Sequence, residues 1–398
     1  MKVFMEGSHA VAEAVKRIKP GVVCAYPITP QTHIVERLSE MVADGELAAE
    51  FINVESEHSA ASVVLGSTAT GVRSFTATSS QGLILMSEVL FNIAGMRLPV
   101  VLTCVNRALS APINIWNDHQ DSMAIRDAGW MQFYAENNQD VQDLHYVAYK
   151  IAENKDVMLP CMVCMDGYIL SHGYENLDLV EQDVVDKFLP KYDALYKLDT
   201  ENPLTMGLLG APDVYMETRY AIHKTMEEVL ALLPGIEKEF ESIMGRKVPL
   251  IVEKYKTEDA DKVLVGMGSV AGTIKDTVDE LRANGERVGL LRIIAYRPFP
   301  KDVIYEALKD IEKIGVVDKA ISLGSSGPLH LEISALLQEK KSAKSINGFV
   351  VGLGGRDIKK ETVKEMFSLL DEETKAVRFI DLKKWYKEES PIMVLEEE

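Results

Sequence analysis

Three short stretches carry residues whose types and positions suit acid–base and anion chemistry. In Glu55-Ser56-Glu57-His58-Ser59-Ala60-Ala61, Ser56 is a good helix cap and Glu57 falls in the first turn, where the helix dipole favours a carboxylate. The residues that follow, Ala60, Ala61, Val63 and Val64, make a helix to be buried, so Glu57 points into a poorly solvated crevice. A carboxyl group there has a raised pKa and can share a proton with a ligand nitrogen, although a plain capping acid would explain the same residue. Arg107 leaves an apolar strand, where an unpaired guanidinium is costly, so it must meet a carboxylate. A substrate carboxylate matches its fork; a structural ion pair with Asp118 or Asp121 is the rival. In Tyr26-Pro27-Ile28-Thr29-Pro30 two prolines stiffen the backbone and present Thr29, which also fits a helix N-cap. Ser79-Ser80-Gln81-Gly82-Leu83 is small enough for close approach of a planar ligand, or it is an ordinary strand-to-helix turn.

Other motifs lead away from chemistry. The cysteines are Cys24, Cys104, Cys161 and Cys164, too few for a disulfide scaffold. The C-x-x-C of Cys161 and Cys164 lies in the apolar run Val157 to Met165, which reads as a buried strand with the two sulfurs on opposite faces. No second C-x-x-C exists to complete a four-sulfur site, so no metal is expected on this chain. Gly266-Met267-Gly268-Ser269-Val270-Ala271-Gly272 has its third glycine one place late for a dinucleotide fingerprint. Gly352-Leu353-Gly354-Gly355 lacks the later acidic residue, and both read as packing turns. The P-loop, H-E-x-x-H and G-x-S-x-G patterns are absent.

The elements that must position these residues alternate along the chain. Strands are expected at Val22 to Ala25, Phe51 to Val54, Ser74 to Thr78, Val100 to Val105 and Val157 to Met165. Helices are expected at Gln31 to Val42, Glu57 to Ala69, Leu83 to Ile93 and Val141 to Asn154. Strands apolar on both faces, alternating with helices, signal an α/β fold with a doubly wound, mainly parallel sheet. The first domain is 1–174; 175–259 is a connecting segment with one helix-like stretch, Tyr215 to Leu233; 260–398 is a smaller α/β domain and tail. The chemical stretches then fall after strands, where open α/β sheets bind ligands.

At 398 residues, more than one domain is expected. A formal charge of −18, from 43 Lys+Arg against 61 Asp+Glu, excludes nucleic acid and anionic membrane surfaces as partners. The terminal like-charge run, Glu396-Glu397-Glu398, reads as a solvated tail. With 47% hydrophobic and 26% charged residues the chain is globular, and the lack of an eighteen-residue apolar run or a charged leader points to the cytoplasm.

Taken together, Tyr26-Pro27-Ile28-Thr29-Pro30, Ser56-Glu57-His58-Ser59-Ala60-Ala61, Phe75-Thr76-Ala77-Thr78-Ser79-Ser80-Gln81-Gly82 and Arg107 to Ala111 through Asp118-His119-Gln120-Asp121 resemble the alpha subunit of the pyruvate and related 2-oxoacid:ferredoxin oxidoreductases. The match spans essentially the whole chain, with the last domain similar to that family's transketolase C-terminal-like domain. The resemblance implies half of a thiamine diphosphate site of the pyrimidine-binding type. Glu57 would meet the aminopyrimidine nitrogen, Arg107 the substrate carboxylate and Thr29 the bound 2-oxoacid; Pro27, Ile28, Ser80 and Gln81 would line the cofactor. It further implies oxidative decarboxylation of pyruvate with coenzyme A, with electrons passing to ferredoxin. The family's diphosphate motif begins Gly-Asp-Gly, and the nearest sequence here, Met165-Asp166-Gly167, lacks its first glycine. Mg²⁺, the diphosphate and four-iron–four-sulfur clusters are therefore expected on beta, gamma and delta-type partner subunits, with the chain active only as a hetero-oligomer. Branched-chain or aryl 2-oxoacids, the beta chain of a lipoamide-linked dehydrogenase and a non-catalytic scaffold are the alternatives.

Overall fold

The computed structural model describes residues 1–344, 346–372 and 375–383; the run Glu396-Glu397-Glu398 lies outside the described residues. The described residues build two large sheets and one two-stranded ribbon. The strands are β1 (Lys2–Glu6), β2 (Val22–Cys24), β3 (Glu50–Ile52), β4 (Ser74–Thr78), β5 (Val101–Asn106), β6 (Met131–Tyr134), β7 (Cys161–Asp166), β8 (Tyr174–Asp178), β9 (Val252–Tyr255), β10 (Lys262–Gly266), β11 (Val288–Ile293), β12 (Ala295–Arg297), β13 (Lys313–Asp318), β14 (Ile346–Val350) and β15 (Arg378–Phe379).

The first sheet has the order β12-β6-β7-β5-β4-β2-β3 and is parallel from β6 to β3, with an antiparallel edge at β12. β4, β5 and β7 are buried along their whole length, as strands covered on both faces must be. The chain leaves β2 toward β3 on one side and returns to β4 on the other. The loops after β2 and β4 therefore diverge, and this topological switch point is where such sheets open a crevice. Helix Glu57–Ala69 begins at that end with Ser56 as its cap, Ser59 N donating to Ser56 Oγ at 3.3 Å.

Three departures from the sequence reading have local causes. The last strand of the first set begins at Cys161 rather than Val157, because Pro160 has no N–H to give the ladder. The expected helix Leu83 to Ile93 is divided at Met86 into Ser80–Leu85 and Ser87–Gly95. The stretch Tyr215 to Leu233 is part of a 30-residue helix, Tyr215–Met244, that runs through Pro234. The ribbon β1-β8, the helix Gly7–Ile18 and strand β6 are elements the alternation did not reveal. Among the described residues, no helix is long and apolar enough to cross a membrane.

The second sheet, β15-β14-β13-β10-β11-β9, is parallel except at β9. It does not stand apart. Strand β12 crosses over to pair with β6, and Arg292 at the end of β11 is buried against Glu136, Asp140 and Glu253. One apolar cluster runs from Leu102, Cys104 and Trp130 into Val263, Val265 and Leu291, so the two sheets share a core. Cys161 and Cys164 lie in different apolar clusters, on opposite faces of β7. Burial pushes the Cys161 thiol well above its ordinary range and the Cys24 thiol up to about 11, which keeps both protonated and inert.

Candidate active site

The carboxyl ends of β2, β3, β4 and β5 carry the segments that hold every candidate residue. Glu57 is only 7% exposed, yet its carboxylate has no hydrogen bond or ion pair with any described residue. At the end of β4, Thr78 Oγ1 and Ser79 Oγ are buried hydroxyls without a partner. Gly82 closes the floor. A Cβ there would lie 2.5 Å from Thr78 Oγ1 and 2.6 Å from Glu57 Oε1, so only glycine lets the turn approach the carboxylate. Unpaired buried polar atoms are costly, and Thr78 Oγ1 and the unpaired Glu57 carboxylate meet around Gly82. The place fits a ligand that presents a hydrogen-bonding nitrogen, as an aminopyrimidine does.

A second carboxylate builds the frame. Asp121, fully buried, accepts from Ser80 N at 2.9 Å and Arg107 N at 3.0 Å on one oxygen, and from Asn106 Nδ2 and Ser122 N at 2.8 Å each on the other. It thereby ties the β4 turn to the β5 loop. Burial raises its pKa, with these four donors pulling the other way. Ser80 sits in the left-handed region at φ 49°, a conformation costing about 1 kcal/mol for a non-glycine residue. Its hydroxyl lies 2.5 Å from both Ala108 O and Gln81 Oε1, so Ser80 is engaged within the protein, and Gln81 beside it is half-buried.

Arg107 is 6% exposed, but its guanidinium meets no carboxylate among the described residues. Nε donates to Asn114 O and Nη1 to Thr29 O, each at 2.9 Å. The structural ion pair with Asp118 or Asp121 is thus corrected. Asp121 takes the Arg107 backbone N–H, and Asp118 accepts from Gln120 N and Gly354 N at 3.0 Å each. Burial lowers the Arg107 pKa and pushes the Asp118 carboxyl up to about 6. Thr29 is exposed and joined to Arg107 through its carbonyl; Gln31 rather than Thr29 precedes helix Thr32–Ala43. Pro27 is exposed and Ile28 half-buried on the same turn. Exposed apolar side chains Tyr26, Ile113, Trp116 and Ile169 stand on the segments leaving these strand ends.

The sequence reading missed what Asp166 does. This side chain is 1% exposed and takes four donors: His119 Nε2 at 2.7 Å, Lys319 Nζ at 2.9 Å, Ser269 N at 3.0 Å and Ser269 Oγ. Burial pushes the carboxyl up, but Lys319 and His119 outweigh it and hold Asp166 well below the usual carboxylate range. Ser269 and Lys319 come from the second sheet, so the discounted Gly266-Met267-Gly268-Ser269 turn locks the two sheets together. Gly268, at φ 76°, approaches so closely that a Cβ would lie 2.9 Å from His119 Nε2. With Asp166 so engaged, Met165-Asp166-Gly167 has no free carboxylate for a metal diphosphate. The pyrimidine half of a thiamine site fits these residues, and the diphosphate half does not.

Residues 13–237 match the family described as pyruvate flavodoxin/ferredoxin oxidoreductase, thiamine diphosphate-binding, and residues 260–363 match pyruvate:ferredoxin oxidoreductase core domain II. The chain is 52% identical to pyruvate synthase subunit PorA of Methanocaldococcus jannaschii, over 91% of this chain and 93% of that one. It is 48% identical to PorA of Methanosarcina barkeri, over 96% of each. Among solved structures it resembles a 2-oxoglutarate:ferredoxin oxidoreductase from Magnetococcus marinus with 2-oxoglutarate, coenzyme A and succinyl-CoA bound, at a TM-score of 0.68 and 17% identity. That likeness covers 93% of this chain and 65% of the other, and it speaks for the fold.

Proposed function

The chain belongs to the pyruvate:ferredoxin oxidoreductase family, and from that premise we propose that it is the alpha-type subunit of a multi-subunit pyruvate synthase, supplying the pyrimidine half of a shared thiamine diphosphate site. The observation that carries the reading is the buried, partnerless Glu57 carboxylate at the switch point of a thiamine diphosphate-binding fold. The reaction is the reversible conversion of pyruvate and coenzyme A to acetyl-CoA and carbon dioxide, with two electrons leaving to ferredoxin.

Thiamine diphosphate, when bound, supplies the nucleophilic carbon and the electron sink for decarboxylation. Glu57 shares a proton with the aminopyrimidine nitrogen, and burial among apolar residues of its helix strengthens that hydrogen bond. Arg107 receives the substrate carboxylate. Two backbone carbonyls hold Nε and Nη1, leaving Nη2 to face an anion. Thr29, beside it, presents a hydroxyl to the 2-oxoacid. Pro27 and Ile28 bound the opening, and Gln81 and the Ser80 backbone shape the cofactor's bed.

The diphosphate, Mg²⁺ and iron–sulfur clusters belong, on this reading, to beta, gamma and delta-type partners. The engagement of Asp166 and the apolar rim of Tyr26, Ile113, Trp116 and Ile169, suited to a covering subunit, support it. The division 1–174, 175–259 and 260–398 remains our reading of the domains, with the last joined to the first by β12 and Asp166. The four cysteines are free and buried, which suits a cytoplasmic complex. Reconstituted complex should reduce a low-potential dye with pyruvate and coenzyme A faster than with branched-chain or aryl 2-oxoacids. A preference for one of those would move the substrate assignment.

A further inference from the structure

The second sheet touches the candidate site at a place that the chemistry above leaves unused, the Gly352–Gly355 turn after β14. Gly352, Gly354 and Gly355 have φ of 64°, 60° and 80°, a backbone that glycine adopts without strain. A Cβ on Gly355 would lie 2.2 Å from Trp116 Cβ, and one on Gly354 would lie 2.6 Å from Asn114 Nδ2. The turn therefore lies flush against segment 114–118 of the Arg107 loop. Two hydrogen bonds clasp the contact, Asn114 Nδ2 donating to Gly354 O and Gly354 N to Asp118 Oδ2, both at 3.0 Å. Asn114 faces both ways: its amide holds the turn while its own carbonyl accepts from Arg107 Nε at 2.9 Å. Its Oδ1 also accepts from Trp116 N at 2.8 Å, which fixes the side chain in this role.

We propose that Asn114 is a positioning residue for Arg107, and that the Gly354–Gly355 turn of the second sheet, acting through it, sets the affinity for the 2-oxoacid carboxylate. This rests on the assignment of Arg107 to that carboxylate. Arginine has a long side chain with several rotatable bonds, and recognition of a carboxylate depends on the plane of its fork. That plane is fixed by two backbone carbonyls, those of Thr29 and Asn114. The Asn114 carbonyl stays in place only while its segment is clasped. The second sheet thus enters substrate binding without touching the substrate, and a glycine pattern that fails as a nucleotide motif acquires a purpose.

The test is steady-state kinetics with pyruvate in the reconstituted complex. Asn114→Ala keeps the backbone carbonyl and removes its side-chain hydrogen bond to Gly354 O, loosening the clasp; KM should rise about tenfold while kcat stays within about twofold, the cost of one lost hydrogen bond expressed in binding. Gly354→Ala, made from the other side of the contact, should move KM the same way. On an Arg107→Ala background, Asn114→Ala should add nothing, because it acts only through Arg107. An unchanged KM in Asn114→Ala, or an additive rise on that background, overturns the proposal. If Arg107→Ala leaves KM unchanged while Asn114→Ala raises it, the Arg107 assignment itself has failed. If Arg107→Ala raises KM and Asn114→Ala does not, only the clasp has failed.

Discussion

Glu57 and Asp166 stand at the carboxyl ends of one sheet, both buried, yet the fold treats them in opposite ways. Glu57 has no partner among the described residues, and the buried Thr78 hydroxyl near it has none either. Asp166 has four donors, three of them from Ser269 and Lys319, more than a hundred residues further along the chain. Burying a carboxylate without partners is costly, so a structure that tolerates it is incomplete until something binds. A carboxylate with its acceptors filled is finished. Burial alone therefore says little about function; the difference lies in whether the hydrogen-bonding capacity is used.

The comparison breaks if Glu57 behaves like Asp166. In reconstituted complex, Glu57→Gln should lower turnover by about 10²–10⁴-fold, the range for losing a positioned proton carrier. Its thermal unfolding should hardly change, because no protein contact is lost. A large fall in stability with activity intact would make Glu57 a structural acid. The mirror-image variant, Asp166→Ala, should cost about 3–5 kcal/mol of folding free energy, since Lys319 and His119 are left buried without their counter-charge. The pH dependence sharpens this. A carboxyl whose folded pKa is depressed contributes stability that is present above its unfolded value and is lost only as pH falls through the folded one. Because Asp166 is held well below the ordinary range, the gap between wild type and Asp166→Ala in denaturant unfolding should persist from pH 7 to pH 4. A gap that closes near pH 5 would mean a carboxyl of ordinary acidity and no lock.

How far each carboxylate could be read from sequence follows from where its partners lie. Glu57 was legible because everything that marks it is local: the strand before it, the Ser56 cap, and the apolar helix face after it. The strands were legible for the same reason, with β7 and β11 running largely apolar across both faces. Asp166 was not, because Ser269 and Lys319 are 103 and 153 residues away and leave no spacing signal. The one hint was chemical, a lysine directly after the apolar strand β13, where a free ammonium would be costly. Arg107 fell between the two cases. Its need for partners was evident, but backbone carbonyls from Thr29 and Asn114 met it, and no pattern of side chains announces a carbonyl. The insertion of β12 into the first sheet was likewise hidden, since strand pairing across the chain depends on the packed arrangement of both sheets.

The central claim is that this chain holds only the pyrimidine half of the cofactor site. Calorimetric titration of thiamine diphosphate with Mg²⁺, into the purified chain and into the complex reconstituted with its diphosphate-binding partner, tests it most directly. The account predicts no tight binding to the chain alone and saturable binding to the complex, accompanied there by pyruvate-dependent dye reduction. Tight binding to the isolated chain, with decarboxylation of pyruvate, would contradict it.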